Sequence, residues 1–145
     1  MKLIKSAGGV VICRRGNTRL VLIITDMNGQ LTFPKGEVAP GETDQAAAER
    51  EVREETGVMS LKLIIRLGSI KYTYRRGELI KKTVHYFLFE TDYIHNLVPQ
   101  TNEGISKVSW IRLSSLRSRI GYQDTNLKLV DSVLRLAGIR KNHAA

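Results

Sequence analysis

Apolar and polar residues alternate weakly from Leu3 to Arg14 and close on a β-branched cluster, which predicts a long strand. Gly8 and Gly9 lie inside it, and a glycine within a strand marks either a bulge or a close approach by backbone or ligand. Gly16 and Asn17 predict a turn into a second strand, Leu20 to Thr25. Asn28-Gly29 then forms a hairpin turn, and Leu31 to Phe33 returns as a short strand. From Pro34 to Gly41, two prolines and two glycines predict a loop without regular structure. A helix follows. Thr43, or Asp44 beside it, offers an oxygen to the open N–H groups of the first turn, and Gly57 supplies the left-handed residue that ends it.

Beyond that helix, Leu61 to Arg75 and Ile80 to Glu90 predict a long antiparallel hairpin about Arg76-Gly77-Glu78. Alternation puts Tyr72 and Tyr74 on one face of its first strand, and Lys82, Val84 and Tyr86 on one face of its second, with His85 opposite. Tyr93 to Asn102 is a polar loop containing Pro99, and Ser106 to Ile111 a short strand carrying Trp110. Leu127, Val130, Leu134 and Ala137 recur at helical spacing, so a second helix is expected from Thr125 to Ala137, stopped by Gly138 and followed by a frayed tail, Arg140 to Ala145. That stripe is core and carries no chemistry.

The chain of 145 residues fits one domain with a continuous core, and its 42% apolar and 26% charged residues are those of a soluble globular protein. No apolar run approaches the ~18 to 20 residues of a membrane span, and GGVVIC is too short and too soon followed by Arg14 and Arg15 for a secretory signal. Cys13 has no partner for an internal disulfide, which suits a cytoplasmic location, and it reads as a small core residue on a strand. A formal net charge of +9 biases the protein towards polyanions. With 6% aromatic residues and no long basic run, that bias leaves nucleic acid open as a partner without favouring it over small phosphorylated compounds.

Candidate chemistry sits on the first helix. At 100° per residue Glu51, Glu54 and Glu55 fall within an arc of about 100°, while Glu49 points away. Each like-charge pair at such spacing costs roughly 0.2 to 0.5 kcal/mol, a cost that a bound cation would remove. Carboxylates are hard ligands, so the residue types predict Mg2+ or Mn2+. An ordinary solvated helix with an Arg50–Glu54 pair would also contain such a run. The wider spacing separates the two readings. Gly36 is followed after five residues by Glu42 and after seven more by Arg50-Glu51-Val52-x-Glu54-Glu55-x-Gly57-Val58. Seven strict positions would match by chance on the order of once in 10⁸ windows.

That stretch, 36–58, resembles the Nudix box without a departure. The chain is similar to the Nudix hydrolases over most of its length, through the box, the AGGVVI segment before it and the tyrosine-rich hairpin after it. The resemblance implies an α/β fold, an α/β/α sandwich with a mixed β-sheet between helical layers. It also implies metal-dependent hydrolysis of a nucleoside diphosphate linked to a further group. On this reading the Gly36 carbonyl, Glu51 and Glu55 bind metal, and Glu54 is the general base with Glu51 as competitor. Arg50 orients the glutamates and Glu42 braces the loop. Some relatives add a metal-binding glutamate seven residues before a tryptophan, the position of Glu103 relative to Trp110, although a glutamate in a polar loop is otherwise merely solvated.

The Phe33-Pro34-Lys35-Gly36 lead-in resembles that of dinucleoside polyphosphate and diphosphoinositol polyphosphate hydrolases. The Lys82 to Phe87 stretch resembles the diadenosine tetraphosphate hydrolases, in which a tyrosine stacks on adenine and lysine or histidine meets phosphate. Lys35, Lys82 and His85 are therefore expected at phosphate, with Tyr86, then Tyr74, as the base platform; for each tyrosine a packed core or edge position is the alternative. Such stacking contributes ~1 to 3 kcal/mol. The expected activity is cleavage of the polyphosphate bridge of diadenosine polyphosphates. The alternatives are modified nucleoside triphosphates, 5'-triphosphorylated RNA or diphosphoinositol polyphosphates as substrate, or a sensor that binds nucleotide without turnover. Monomer and homodimer stay equally open.

Overall fold

In the computed structural model, which describes residues 1–92, 97–98 and 104–144 with side chains as far as 138, the first strand is the axis of a mixed sheet. This strand, β1 (Lys2–Arg15), lies parallel to β6 (Glu78–Thr91), in register from Lys2↔Ile80 to Cys13↔Thr91. Its other edge is shared. The short β4 (Lys35–Glu37) pairs antiparallel with Ser6 to Gly8, and β2 (Thr18–Asp26) with Ile12 to Arg15. β3 (Leu31–Thr32) and β7 (Ile105–Arg112) flank β2, and β5 (Lys62–Arg76) forms the predicted hairpin with β6.

Strand alternation divides the sheet into two apolar faces. On one, Ala47, Ala48 and Val52 of α1 (Asp44–Thr56) pack on Ala7, Val11, Leu22, Phe87 and Phe89. On the other, Leu129, Val130 and Val133 of α3 (Gln123–Ala144) pack on Val10, Val21, Ile23 and Leu88. The result is the expected α/β/α sandwich. Both ends of α1 follow the sequence: Thr43 Oγ1 accepts from the Ala46 N–H at 3.1 Å, and Gly57, at φ 82°, donates its N–H to the Arg53 carbonyl at 2.9 Å. Cys13 is buried in β1. No helix among the described residues is long and apolar enough to cross a membrane.

Gly8 and Gly9 mark close approach and not a bulge, since β1 keeps its register with β6 across both. A Cβ on Gly9 would lie 2.8 Å from Val52 Cγ2 and from the Phe89 ring. One on Gly8 would lie 2.5 Å from the Pro34 carbonyl oxygen and 2.8 Å from the Tyr86 ring. The missing side chains let α1 and the 34–41 segment settle onto β1.

Several expectations are corrected. The 34–41 segment is not wholly irregular, because Lys35–Glu37 finds hydrogen-bond partners on β1 that local sequence does not reveal. The last helix begins at Gln123, not Thr125, and runs to Ala144. Gly138 does not stop it, because a glycine permits the left-handed conformation without requiring it, and Gly138 has no positive φ. Residues 140–144, expected as a tail, continue the helix. A 3₁₀ turn, Leu113–Ser115, and the short α2, Leu116–Arg119, were not foreseen; Leu113 and Leu116 anchor them in the core beneath α3. The expected 93–102 loop lies outside the described residues apart from Leu97 and Val98.

Gly9→Ala is expected to destabilise the fold by about 1 to 3 kcal/mol through overpacking against Val52 and Phe89. A urea denaturation midpoint measures it. An unchanged midpoint would show that α1 can move off β1 freely.

Candidate active site

Arg50 gathers the acidic residues of the helix and the loop. Its Nε donates to Glu42 Oε2 at 2.8 Å and its Nη2 to Glu42 Oε1 at 3.0 Å, the paired geometry that makes arginine–carboxylate contacts strong. Nη2 also donates to the Glu37 carbonyl at 2.9 Å, while Nη1 donates to Glu51 at 2.7 Å and Glu54 at 3.2 Å. Glu42 in turn accepts from the Ala39 N–H at 2.9 Å, so one carboxylate closes the loop and ties it to the helix. Arg50's hydrogen bonds, followed by that N–H, hold the Glu42 carboxyl down at about 2. The same contacts push the Arg50 guanidinium further above its ordinary value. Glu49 points elsewhere and accepts from Gln45 at 3.3 Å.

Two of the three clustered glutamates are buried. The Glu51 carboxylate lies directly against the Gly36 backbone, and a Cβ on Gly36 would overlap it. Glu55 Oε1 accepts the Lys35 backbone N–H at 3.1 Å. Glu54 is exposed. Thus β4 and one face of α1 bring Gly36, Glu51 and Glu55 together, a set of hard oxygen donors of the kind that suits a divalent cation. Among the described residues no three acidic, histidine or cysteine side chains close into a cation site. Glu103 lies outside the described residues.

Beside this acidic face lies a cavity of about 460 Å³ on the α3 side of the sheet. Tyr72, Tyr74 and Tyr122 line it, with Lys35 at one end and the Asp26–Asn28 turn at another. The rings of Tyr72 and Tyr74 stand 6.1 Å apart at 31°. Burial, then the neighbouring Tyr74 and Tyr122, pushes the Tyr72 hydroxyl up. Lys82, opposite Tyr72 in the hairpin, is half-buried; burial and then Lys35 draw its ammonium down, against the pull of Glu37, Glu55 and Glu51.

Two sequence-based placements change. Tyr86, expected as the base platform, belongs to the cavity wall but is fully buried with its ring edge-on to Phe33 at 5.9 Å, so it exposes no surface for a base to stack on; its hydroxyl finds no hydrogen-bond partner among the described residues. His85 is on the opposite face of the sheet, where its Nδ1 meets Arg66 Nη2 at 2.8 Å, and it is not brought to Lys35 and Lys82. Sequence reasoning missed Tyr122. This residue has φ 50°, a conformation few non-glycine residues adopt. Its hydroxyl donates to Asp26 Oδ2 and accepts from Asn28 at 3.3 Å, and its carbonyl accepts the Asn126 N–H at 2.9 Å at the head of α3. The local signal was the Gly121-Tyr122 step ahead of the Asp124 first turn.

The NUDIX domain model matches residues 3–132. The chain is 32% identical over 127 residues to the protein named MutT4 in Mycobacterium tuberculosis, covering 82% of this chain and 50% of that one. It is 36% identical over 100 residues to the asymmetrical bis(5'-nucleosyl)-tetraphosphatase of Rattus norvegicus, covering 60% and 66%. Its fold superposes on a Caenorhabditis elegans Ap4A hydrolase binary complex with a TM-score of 0.77 at 23% identity, over 93% of this chain and 98% of that one. The chain therefore spans half to two thirds of the two sequence relatives.

The Glu42–Arg50 contact has a pH signature. Glu42 moves from an ordinary value of 4.5 down to about 2 on folding, so its stabilisation is complete above the ordinary value and is lost as pH falls through about 2. In urea midpoints measured against pH, wild type is expected to exceed Glu42→Gln by a constant margin near neutrality, narrowing steadily below pH about 4.5. A margin that does not change on acidification would show that the contact contributes nothing to folding.

Proposed function

This chain belongs to the NUDIX family, and we propose that it is a metal-dependent pyrophosphohydrolase that cleaves the polyphosphate bridge of diadenosine polyphosphates. One observation carries the reading: Lys35 belongs to both halves of the site. Its side chain lines the tyrosine cavity while its backbone N–H holds Glu55 of the acidic face. A nucleoside stacked among Tyr72, Tyr74 and Tyr122 would send its phosphates past Lys35 and Lys82 towards Glu51 and Glu55. The activities named for the rat relative and the nematode structure support the same substrate class.

In this mechanism the tyrosines bind the base, and the two lysines hold non-scissile phosphates as flexible point charges. A divalent cation held by Glu51, Glu55 and the Gly36 carbonyl would neutralise phosphate charge and acidify water. Glu54 is exposed, and Arg50 Nη1 fixes its direction, so it can accept a proton from the attacking water. Arg50 acts through the glutamates and not on substrate.

Diadenosine tetraphosphate with Mg2+ is expected to yield ATP and AMP faster than 8-oxo-dGTP or ADP-ribose is consumed, as followed by product chromatography. A strong preference for either of the other two would overturn the substrate assignment. Glu54→Gln should lower turnover by roughly 10²-fold or more while calorimetric nucleotide affinity stays close to wild type. If that variant turned over normally, Glu51 would become the candidate base.

A further inference from the structure

The hairpin that builds the tyrosine cavity has a second face, and that face is basic. Residues of even number, Ile70, Tyr72, Tyr74 and Tyr86, line the cavity. The odd-numbered ones face the other way, over a stretch of sheet that α1 does not cover. There a shallow groove of about 410 Å³ is lined by Lys5, Lys71, Lys81, Ser69 and Thr83, among others, and by no acidic residue. Pairing explains the cluster. Thr83 sits between Lys5 on β1 and Lys71 on β5 in a single row across three strands, and Lys81 follows one pleat step away, about 6.7 Å along β6. Lys71 and Lys81 are exposed and make no ion pair among the described residues. Asp44, at the foot of the groove, engages Lys5 at 3.1 Å and Arg66 at 3.5 Å.

We infer that this face docks single-stranded nucleic acid by its phosphate backbone, without regard to base sequence. Ammonium groups interleaved with threonine and serine hydroxyls are the contacts that phosphate oxygens take. Positive charge spread across three neighbouring strands suits an extended polyanion better than a single phosphate. The chain's 23 basic against 14 acidic residues give such a ligand a favourable long-range field. No aromatic ring stands open on this face among the described residues, for Phe87 is buried beneath Arg66, so no base is read by stacking. The inference does not rest on the proposed hydrolysis: the groove lies beside α1, on the side of the sheet away from the tyrosine cavity.

Fluorescence anisotropy with labelled oligouridylate and oligocytidylate tests it. Equal affinities are expected for the two, with log affinity falling against log salt at a slope of ~1.4, about 0.7 for each of the two lysines, Lys71 and Lys81, that make no ion pair among the described residues. Lys71→Glu with Lys81→Glu should weaken binding roughly tenfold or more, and the glutamine pair by less, with nucleotide hydrolysis unchanged and circular dichroism confirming the fold. Three outcomes would overturn the inference. They are wild-type affinity in the charge-reversed variant, displacement of the oligonucleotide by a dinucleoside polyphosphate, or binding to phosphatidylserine vesicles in place of RNA, with exposed Leu3 as the anchor.

Discussion

A single guanidinium makes the acidic face of α1 compatible with a folded chain. Glu42, Glu51 and Glu54 converge on Arg50, and without a cation between them their mutual repulsion would oppose both the helix and the loop that lies on it. Arg50 also reaches the Glu37 carbonyl, so the same group fixes where β4 ends and where the loop begins. The face is thus held in shape by protein contacts that reach from the loop to the helix.

What the arginine arranges in charge, three glycines arrange in distance. Gly9 lets Val52 of α1 approach β1, Gly8 admits the Pro34 carbonyl and the Tyr86 ring, and Gly36 leaves the space that the Glu51 carboxylate fills. Each contact would be broken by one methyl group. The position of Glu51 relative to the Gly36 backbone therefore follows from close packing, which changes in steps and not continuously.

Much of this was legible locally. Thr43 and Gly57 announce their caps, and the period-two pattern of 61–90 gave both the hairpin and the sidedness of Tyr72, Tyr74 and Lys82. Alternation says which side a residue takes, however, and not how deep it lies. Tyr86 shares the face of Lys82 but sits over Phe33 and Gly8, where the core has closed around it. His85 already had the opposite parity, and grouping it with Lys82 set a motif's likeness above a geometric rule. Tyr122 left only the Gly121-Tyr122 step as a local signal, since the place of its hydroxyl depends on Asn28, ninety-four residues earlier. β4 depended in the same way on β1, nearly thirty residues away.

The hairpin of β5 and β6 serves both sides of the sheet. Because successive side chains leave a strand on opposite sides, fifteen residues of β5 build the wall of a cavity and a separate exposed surface at once. The bulges near Leu63 and Arg66 shift the register at one end only, leaving Ser69 to Arg75 in strict alternation. Substitution on the odd positions meets solvent and costs the core little, whereas substitution on the even ones meets Ile70, the tyrosines and α3. The two faces of one hairpin can thus vary independently, provided the backbone between them does not slip by a residue. The long paired register with β1 prevents that slip, for a one-residue shift would carry Val84, Tyr86 and Leu88 out of the core.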